Sequence, residues 1–174
     1  KLCDVTHFRM PKSKKENSKI IPCRSFPTWG YCSNKMCRRL QPHKFAPLAS
    51  IGNKFICIEC KNKLLPARLV TTCENGHVDN FPWIEWAHSS KKDVENAKTC
   101  DQQKCVLEWN SLNKSTDFGD YYIKCRDCKS SRSMGLAVAK NGIPTELAVC
   151  GGYSPWLDSN KKCVKKVKKD TKNE

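Results

Sequence analysis

Eight cysteines carry the clearest chemistry in this chain. Cys32, Cys37, Cys57 and Cys60 read C-x4-C-x19-C-x2-C. Cys100, Cys105, Cys125 and Cys128 repeat that spacing, each 68 residues after its counterpart. The chain between the quartets does not repeat visibly, so a shared geometry accounts for the match. That geometry is the zinc ribbon: two short cysteine loops, brought together by paired strands, set four sulfurs tetrahedrally about 2.3 Å from zinc. Lys35, Arg38, Lys61, Lys104, Arg126 and Lys129 flank the ligands and favour the thiolate form. The competing reading is scattered buried thiols or a redox pair, but a redox Cys-x-x-Cys has no need of a second pair at matched spacing.

Five cysteines remain, at 3, 23, 73, 150 and 163. Cys73-Glu74-Asn75-Gly76-His77 is a C-x3-H that supplies two ligands, and Cys150 and Cys163 would complete a third site. The alternative is a structural His77 and inert buried thiols. Cys3 and Cys23 have no partner by spacing. The expected cofactors are two zinc ions, with a third site open.

The chain holds 174 residues, 39% hydrophobic and 28% charged, with 32 basic and 17 acidic side chains and a formal charge of +15. Mean hydropathy is −0.65. Zinc on four thiolates carries −2, so two such sites still leave about +11. No apolar run approaches the roughly 20 residues that span a bilayer. The N-terminus lacks the shape of a secretory signal, and with thiols spaced for metal this implies a reducing compartment, the cytoplasm. With no initiator Met, the chain is expected to be a piece of a longer protein.

Residues 1–20 are polar and lysine-rich and read as a linker. Residues 21–72 form a first ribbon module and 99–160 a second. Residues 73–98 hold a Gly-His/Pro-Trp block with a helix, and 161–174 are a basic tail. Phe55–Ile58 and Tyr121–Cys125 are expected strands that feed cysteine loops. Leu136–Ala139 and Thr145–Val149 flank Asn141-Gly142 and read as a hairpin. The helix is expected from Pro82 to about Val94, capped by Asp79 or Asn80, with Trp83, Trp86 and Ala87 on a core-facing side. The fold class is therefore small α+β and metal-stabilised: two zinc-ribbon-like β modules with one or two short helices.

Three segments also resemble a known family. Residues 73–88, Cys73-Glu74-Asn75-Gly76-His77-Val78-Asp79-Asn80-Phe81-Pro82-Trp83-Ile84-Glu85-Trp86-Ala87-His88, are similar to the "C-x-x-GH-x-x-DFPW-x-x-W-x-H" block of DrmB-type proteins of the DISARM anti-phage system. Phe26-Pro27-Thr28-Trp29-Gly30-Tyr31-Cys32 is similar to "FP-x-W-x-x-C", and Cys150-Gly151-Gly152-Tyr153-Ser154-Pro155-Trp156-Leu157 to "C-x-G-x-x-PWL". The match runs in order over about residues 20–163. Asn80 stands where Asp is usual, and a lysine tail follows Cys163 where the family continues into a larger region. The chain thus looks like the N-terminal zinc-binding part of such a protein, truncated. The resemblance implies cytoplasmic work in phage defence, beside a helicase-like partner on DNA.

Two function classes follow. The first is a non-catalytic zinc module that contacts DNA or a helicase-like subunit. The excess charge comes mainly from lysine, which neutralises phosphate without reading bases, so binding would be nearly sequence-blind. Lys161, Lys162, Lys165, Lys166, Lys168 and Lys169 are the candidate nucleic-acid contacts. The alternative is a protein–protein scaffold without direct nucleic-acid binding, which exposed tryptophans would favour. Catalysis is not expected. No H-E-x-x-H, Walker A or G-x-S-x-G occurs, His77-Val78-Asp79 is not the H-x-E of zinc deaminases, and the Glu59-Cys60-Lys61 match to a nuclease E-x-K is claimed by a cysteine loop. Four-cysteine zinc also leaves no open position for water. Neither a membrane nor a small-molecule substrate is expected as a partner.

Overall fold

A computed structural model describes residues 25–45, 54–90, 97–112, 117–139, 142–144, 146–147, 149–154, 159–160 and 163. The lysines of the 161–169 cluster lie outside the described residues, as do Cys3, Cys23 and Trp156.

Among the described residues the fold is mostly β, with one short helix over Trp83–His88 and a helical turn at residues 97–98. Strands β1 (Trp29–Cys32), β2 (Arg39–Pro42), β3 (Leu64–Pro66), β6 (Leu107–Ser111), β7 (Tyr121–Cys125) and β8 (Ser131–Ser133) form one sheet in the order β3-β1-β2-β6-β7-β8. Every pairing in it is antiparallel. The two cysteine-bearing halves meet where β2 pairs β6, Arg39 opposite Glu108 and Leu40 opposite Leu107. Strands β4 (Val70–Thr72) and β5 (Val78–Asn80) make a separate hairpin, and β9 (Tyr153–Ser154) pairs β10 (Ser159–Asn160).

The 68-residue repeat extends beyond the cysteines into the backbone. Ile56 bridges Lys63, and the pair 68 positions on, Lys124 and Ser131, is opposed in the β7–β8 ladder. The Cys57 N–H donates to the Asn62 carbonyl at 2.7 Å, and that of Cys125 to the Ser130 carbonyl at 2.8 Å. Lys61 and Lys129, each directly after the second cysteine of its loop, have φ of 62° and 65°. This left-handed turn costs an ordinary side chain about 1 kcal/mol. In both loops the lysine Nζ returns to an earlier carbonyl, Lys61 to Ile58 and Lys129 to Arg126.

The apolar core lies where the sheet meets the helix α1 (Trp83–His88). Trp83 and Trp86 are fully buried, and Trp109 of β6 stacks on Tyr31 with ring centroids 5.1 Å apart. Trp109 also meets Trp83 edge-on, and Phe81 packs against both helix tryptophans. Arg132 of β8 lies 4.0 Å above the Trp86 ring and donates to the Ser89 carbonyl, which fixes the end of the helix to the sheet. These rings fill a thin interior, so the tryptophan face expected to be core is core.

Three expected elements differ. The helix ends at His88 rather than near Val94, because Ser89 turns its N–H and its hydroxyl back onto the Trp86 carbonyl. Residues 91–94 lie outside the described residues. Neither expected residue caps the helix: Pro82 holds the N-cap position, while the Asn80 side chain accepts from the Thr28 N–H and Asp79 accepts from the Asn80 N–H. The expected hairpin after Met134 is a run of turns among its described residues. Ala137, Gly142 and Leu147 each bond back three residues, to Met134, Ala139 and Pro144. Leu136, Val138 and Val149 are exposed there while Ala137, Ile143 and Leu147 pack against the core, and Pro144 has no N–H to give a ladder. The expected strand at Phe55–Ile58 is reduced to the single Ile56–Lys63 bridge.

The seam between the halves is fastened by charge. Arg126 reaches Glu59 at 2.9 Å and Glu108 at 2.8 Å, and donates to the Cys37 carbonyl at 3.3 Å. Arg39 meets the same Glu59 at 3.2 Å. Hydrogen bonds from Arg126 and then Arg39 hold the Glu59 carboxyl below its ordinary range. A part-exposed network of this kind contributes modestly, so Arg126→Ala should cost about 1–2 kcal/mol of stability. Chemical denaturation of the metal-loaded protein measures it, and a change within error of zero would show that the seam rests on β2–β6 pairing alone.

Candidate metal centres

Three groups of cysteine and histidine each bring their ligand atoms within 4.8 Å of one another. The first is Cys32, Cys37, Cys57 and Cys60. Cys32 ends β1, Cys37 precedes β2, and Cys57 and Cys60 occupy the loop before β3. The Cys32 and Cys60 sulfurs are 3.2 Å apart and those of Cys37 and Cys57 are 3.7 Å apart. A tetrahedron with arms of about 2.3 Å has edges of about 3.8 Å, whereas a disulfide bond is about 2.05 Å. The spacing suits a shared ion, and none of the described cysteines is in a disulfide. Donors surround the sulfurs as a thiolate requires: the Asn34 N–H points at Cys32 (3.4 Å) and the Asn62 amide at Cys60 (3.5 Å).

The second group is Cys73, His77, Cys150 and Cys163, the four residues that spacing left as an open third site. Cys73 and His77 flank the turn between β4 and β5. Gly76 supplies the φ of 77° that the turn needs, and the Cys73 N–H then reaches the His77 carbonyl at 3.2 Å. The His77 Nδ1 lies 3.4 Å from the Cys73 sulfur and 3.6 Å from that of Cys150, and Cys163 is 4.0 Å from Cys73. The Gly152 N–H and the Asn75 amide point at Cys150 and Cys163. This group draws residues from the middle and the far end of the described chain to one place.

The third group is His88, Cys100, Cys125 and Cys128. Sequence spacing offered Cys105 here and gave no reason to single out His88, although His88 closes the Trp-rich block. The Cys100 and Cys125 sulfurs are 3.8 Å apart, and Ser130 holds Cys128 at 3.2 Å. Cys105 is half-buried nearby, with its thiol turned onto the Gln102 carbonyl at 3.5 Å.

Crowding shapes the protonation of these groups in the metal-free chain. Burial pushes the thiols of Cys32 and Cys100 well above their ordinary range, and those of Cys37 and Cys150 up to about 11. Burial likewise lifts Cys105 to about 12. One thiol in each quartet goes the other way. Burial opposes it, but hydrogen bonds from Asn62 and the neighbouring thiols bring Cys60 down to about 6, and Ser130 with its neighbours brings Cys128 to about 7. Each quartet therefore presents a thiolate to capture a cation, which then displaces protons from the rest.

A family model described as "Domain of unknown function (DUF8724)" matches residues 1–173. The chain belongs to that family. It is also similar to the DISARM protein DrmB of Bacillus paralicheniformis, with 31% identity over 164 residues. The similarity covers 92% of this chain and 27% of that protein, so the chain spans about a quarter of the relative's length. Among the described residues no helix is long and apolar enough to cross a membrane.

The proton count gives a test. Near neutral pH, Cys32 and Cys37 are protonated in the metal-free chain and must lose their protons to ligate. Metal binding at the first centre should release at least two protons. Its apparent affinity should then fall about 100-fold for each pH unit lost between pH 9 and 7. Competition titrations with a chelator across that range measure this. An affinity flat with pH would mean that these thiols are not the ligands.

Proposed function

We propose that this chain is a non-catalytic zinc-binding module of a DrmB-like anti-phage defence protein, contacting DNA, a helicase-like partner or both. The observation that carries the reading is similarity to DrmB across nearly the whole chain, together with three clusters of four soft ligands. Thiolate with imidazole at tetrahedral spacing suits zinc better than the hard, oxygen-seeking cations. Sets of four such ligands fill a tetrahedron and leave no position for a reacting water, which supports a structural role. Glu59, half of the nuclease-like E-x-K, is held by two arginines, and Lys61 is turned onto a backbone carbonyl. A cytoplasmic location belongs to the same reading, since reducing conditions keep thiols available for metal.

With one four-cysteine centre at −2 and two Cys3His centres at −1, a chain of formal charge +15 still carries about +11. That excess supports contact with phosphate. Lys35, Lys61, Lys104 and Lys129 are exposed around the cysteine loops. The scaffold alternative draws less support from the rings, because Trp83, Trp86 and Trp109 are all buried.

Two measurements test the proposal. Elemental analysis of protein purified without added metal should find about three zinc ions per chain, and a value below one would reject the zinc reading. Gel-shift titrations at two salt concentrations should show salt-sensitive, sequence-blind DNA binding. Replacing the six lysines between 161 and 169 by glutamine, which keeps Cys163, should reduce the slope of log K against log salt by up to about 5. Absence of DNA binding at low salt, with capture of a helicase-like defence subunit retained, would favour the scaffold reading.

A further inference from the structure

The repeated cysteine spacing makes Cys105 the counterpart of Cys37, but the two thiols are placed differently. In the first half the Cys37 and Arg38 N–H groups both bond to the Asn34 carbonyl, and Arg38 takes a left-handed φ of 52°. In the second half the Lys104 and Cys105 N–H groups both bond to the Asp101 carbonyl. Within the 68-residue register that turn closes one residue early. Val106, the counterpart of Arg38, has no left-handed φ, and its N–H bonds to Asp127 at 2.8 Å. The slip turns the Cys105 thiol onto the Gln102 carbonyl, beside Cys125 but outside the group of four mutually close ligand atoms.

A ring nitrogen of His88 lies within 4.8 Å of the sulfurs of Cys100, Cys125 and Cys128. The histidine is the last residue of α1 and is 8% exposed. Its Nδ1 lies 2.7 Å from the Ile84 carbonyl. A carbonyl oxygen only accepts, so Nδ1 bears the proton and Nε2 bears the lone pair. That Nε2 is buried and has no hydrogen-bond partner. Leaving a buried acceptor unpaired is unfavourable, and a cation among the three nearby thiolates would satisfy it. An imidazole anchored through one nitrogen to a backbone carbonyl is also oriented to ligate through the other.

We propose that the second ribbon holds its metal through His88 Nε2 and the sulfurs of Cys100, Cys125 and Cys128, with Cys105 left as a free thiol at the rim. The ion then joins α1 to the sheet, so this centre holds the tryptophan helix in place as well as its own loops. The assignment rests on the metal-binding reading above but concerns only which side chains ligate.

Cadmium NMR of the intact chain, with cadmium exchanged for the native metal, resolves the centres separately. The expected spectrum has one resonance in the four-sulfur range and two in the three-sulfur, one-nitrogen range. Cys105→Ser should leave all three in place. His88→Cys should move one resonance into the four-sulfur range without unfolding the chain, because a ligand is kept. His88→Ala should weaken that centre by about 100-fold or more, since it removes a ligand and not merely a supporting partner, whose loss costs about 10–100-fold. Loss of a resonance in Cys105→Ser, or a His88→Cys spectrum identical to that of the native chain, would overturn the assignment while the metal-binding reading stood. Failure of the native chain to take up any metal would overturn both.

Discussion

Four sulfurs gathered within a few ångströms cannot all be thiolates without a cation between them, and the fold depends on resolving that conflict. The strands here are two to five residues long, and around the first cysteine group the interior is almost entirely sulfur. Its buried cluster consists of Cys32, Cys37, Cys57 and Leu64, with Phe55 and Cys60 at the edge. The residues that fill this core are the same ones that would ligate. Burial drives the Cys32 and Cys37 thiols towards the neutral form, whereas a bound ion would reverse that preference and make the cluster a source of folding free energy. The second half is better supplied, because Trp109, Ile123 and Met134 pack against the helix tryptophans. Metal loss should therefore weigh unequally on the two halves.

The central geometry was legible in the sequence for a physical reason. A Cys-x2-Cys loop has few ways to aim both sulfurs at one ion, so spacing alone specifies the local backbone. That is why the left-handed residues after Cys60 and Cys128 recur with the same hydrogen bonds, while β7 lies where its β-rich run was expected to form a strand. Cys73 and His77 were legible as a pair for the same reason, through a glycine-assisted turn. The remainder depended on contacts distant in sequence. His88 lies 12 positions before Cys100 in a stretch dominated by tryptophan, and its role follows from the packing of α1 on the sheet. The pairing of β2 with β6 depends on Leu40, Leu107 and the charges around Glu59, none of which forms a local pattern. The hairpin after Met134 shows the reverse error: Asn141-Gly142 is a strong turn signal, but among the described residues Ala137, Gly142 and Leu147 close turns on themselves and pair with no facing strand.

The seam around Glu59 shows how two similar cysteine-bearing halves become one sheet. Glu59 belongs to the first cysteine loop, Arg126 to the second, and Arg39 and Glu108 to the two strands that pair at the join. Positions 58 and 126 are counterparts in the repeat, yet one is Ile58 and the other Arg126. Ile58 is exposed, while Arg126 turns inward to two carboxylates and the Cys37 carbonyl. A symmetric pair of halves would present identical edges with no preferred order. Placing an arginine in only one loop, with its carboxylate in the other, gives the join a direction.

The same departure from symmetry governs the metal chemistry. A four-thiolate centre with zinc carries −2, and a three-thiolate, one-imidazole centre carries −1. The more negative first centre is the one beside Arg39 and Arg126, where Arg126 also takes the carbonyl of a ligating residue. The second centre, with an imidazole among its nearest donors, needs less positive charge nearby, and Asp127 is accommodated there against the Val106 N–H. One early-closing turn thus does more than displace a thiol. With His88 as a ligand, the helix would supply a neutral donor, lower the charge of its centre and couple the tryptophan core to the ion, so that two stretches of identical cysteine spacing would differ in their metal chemistry.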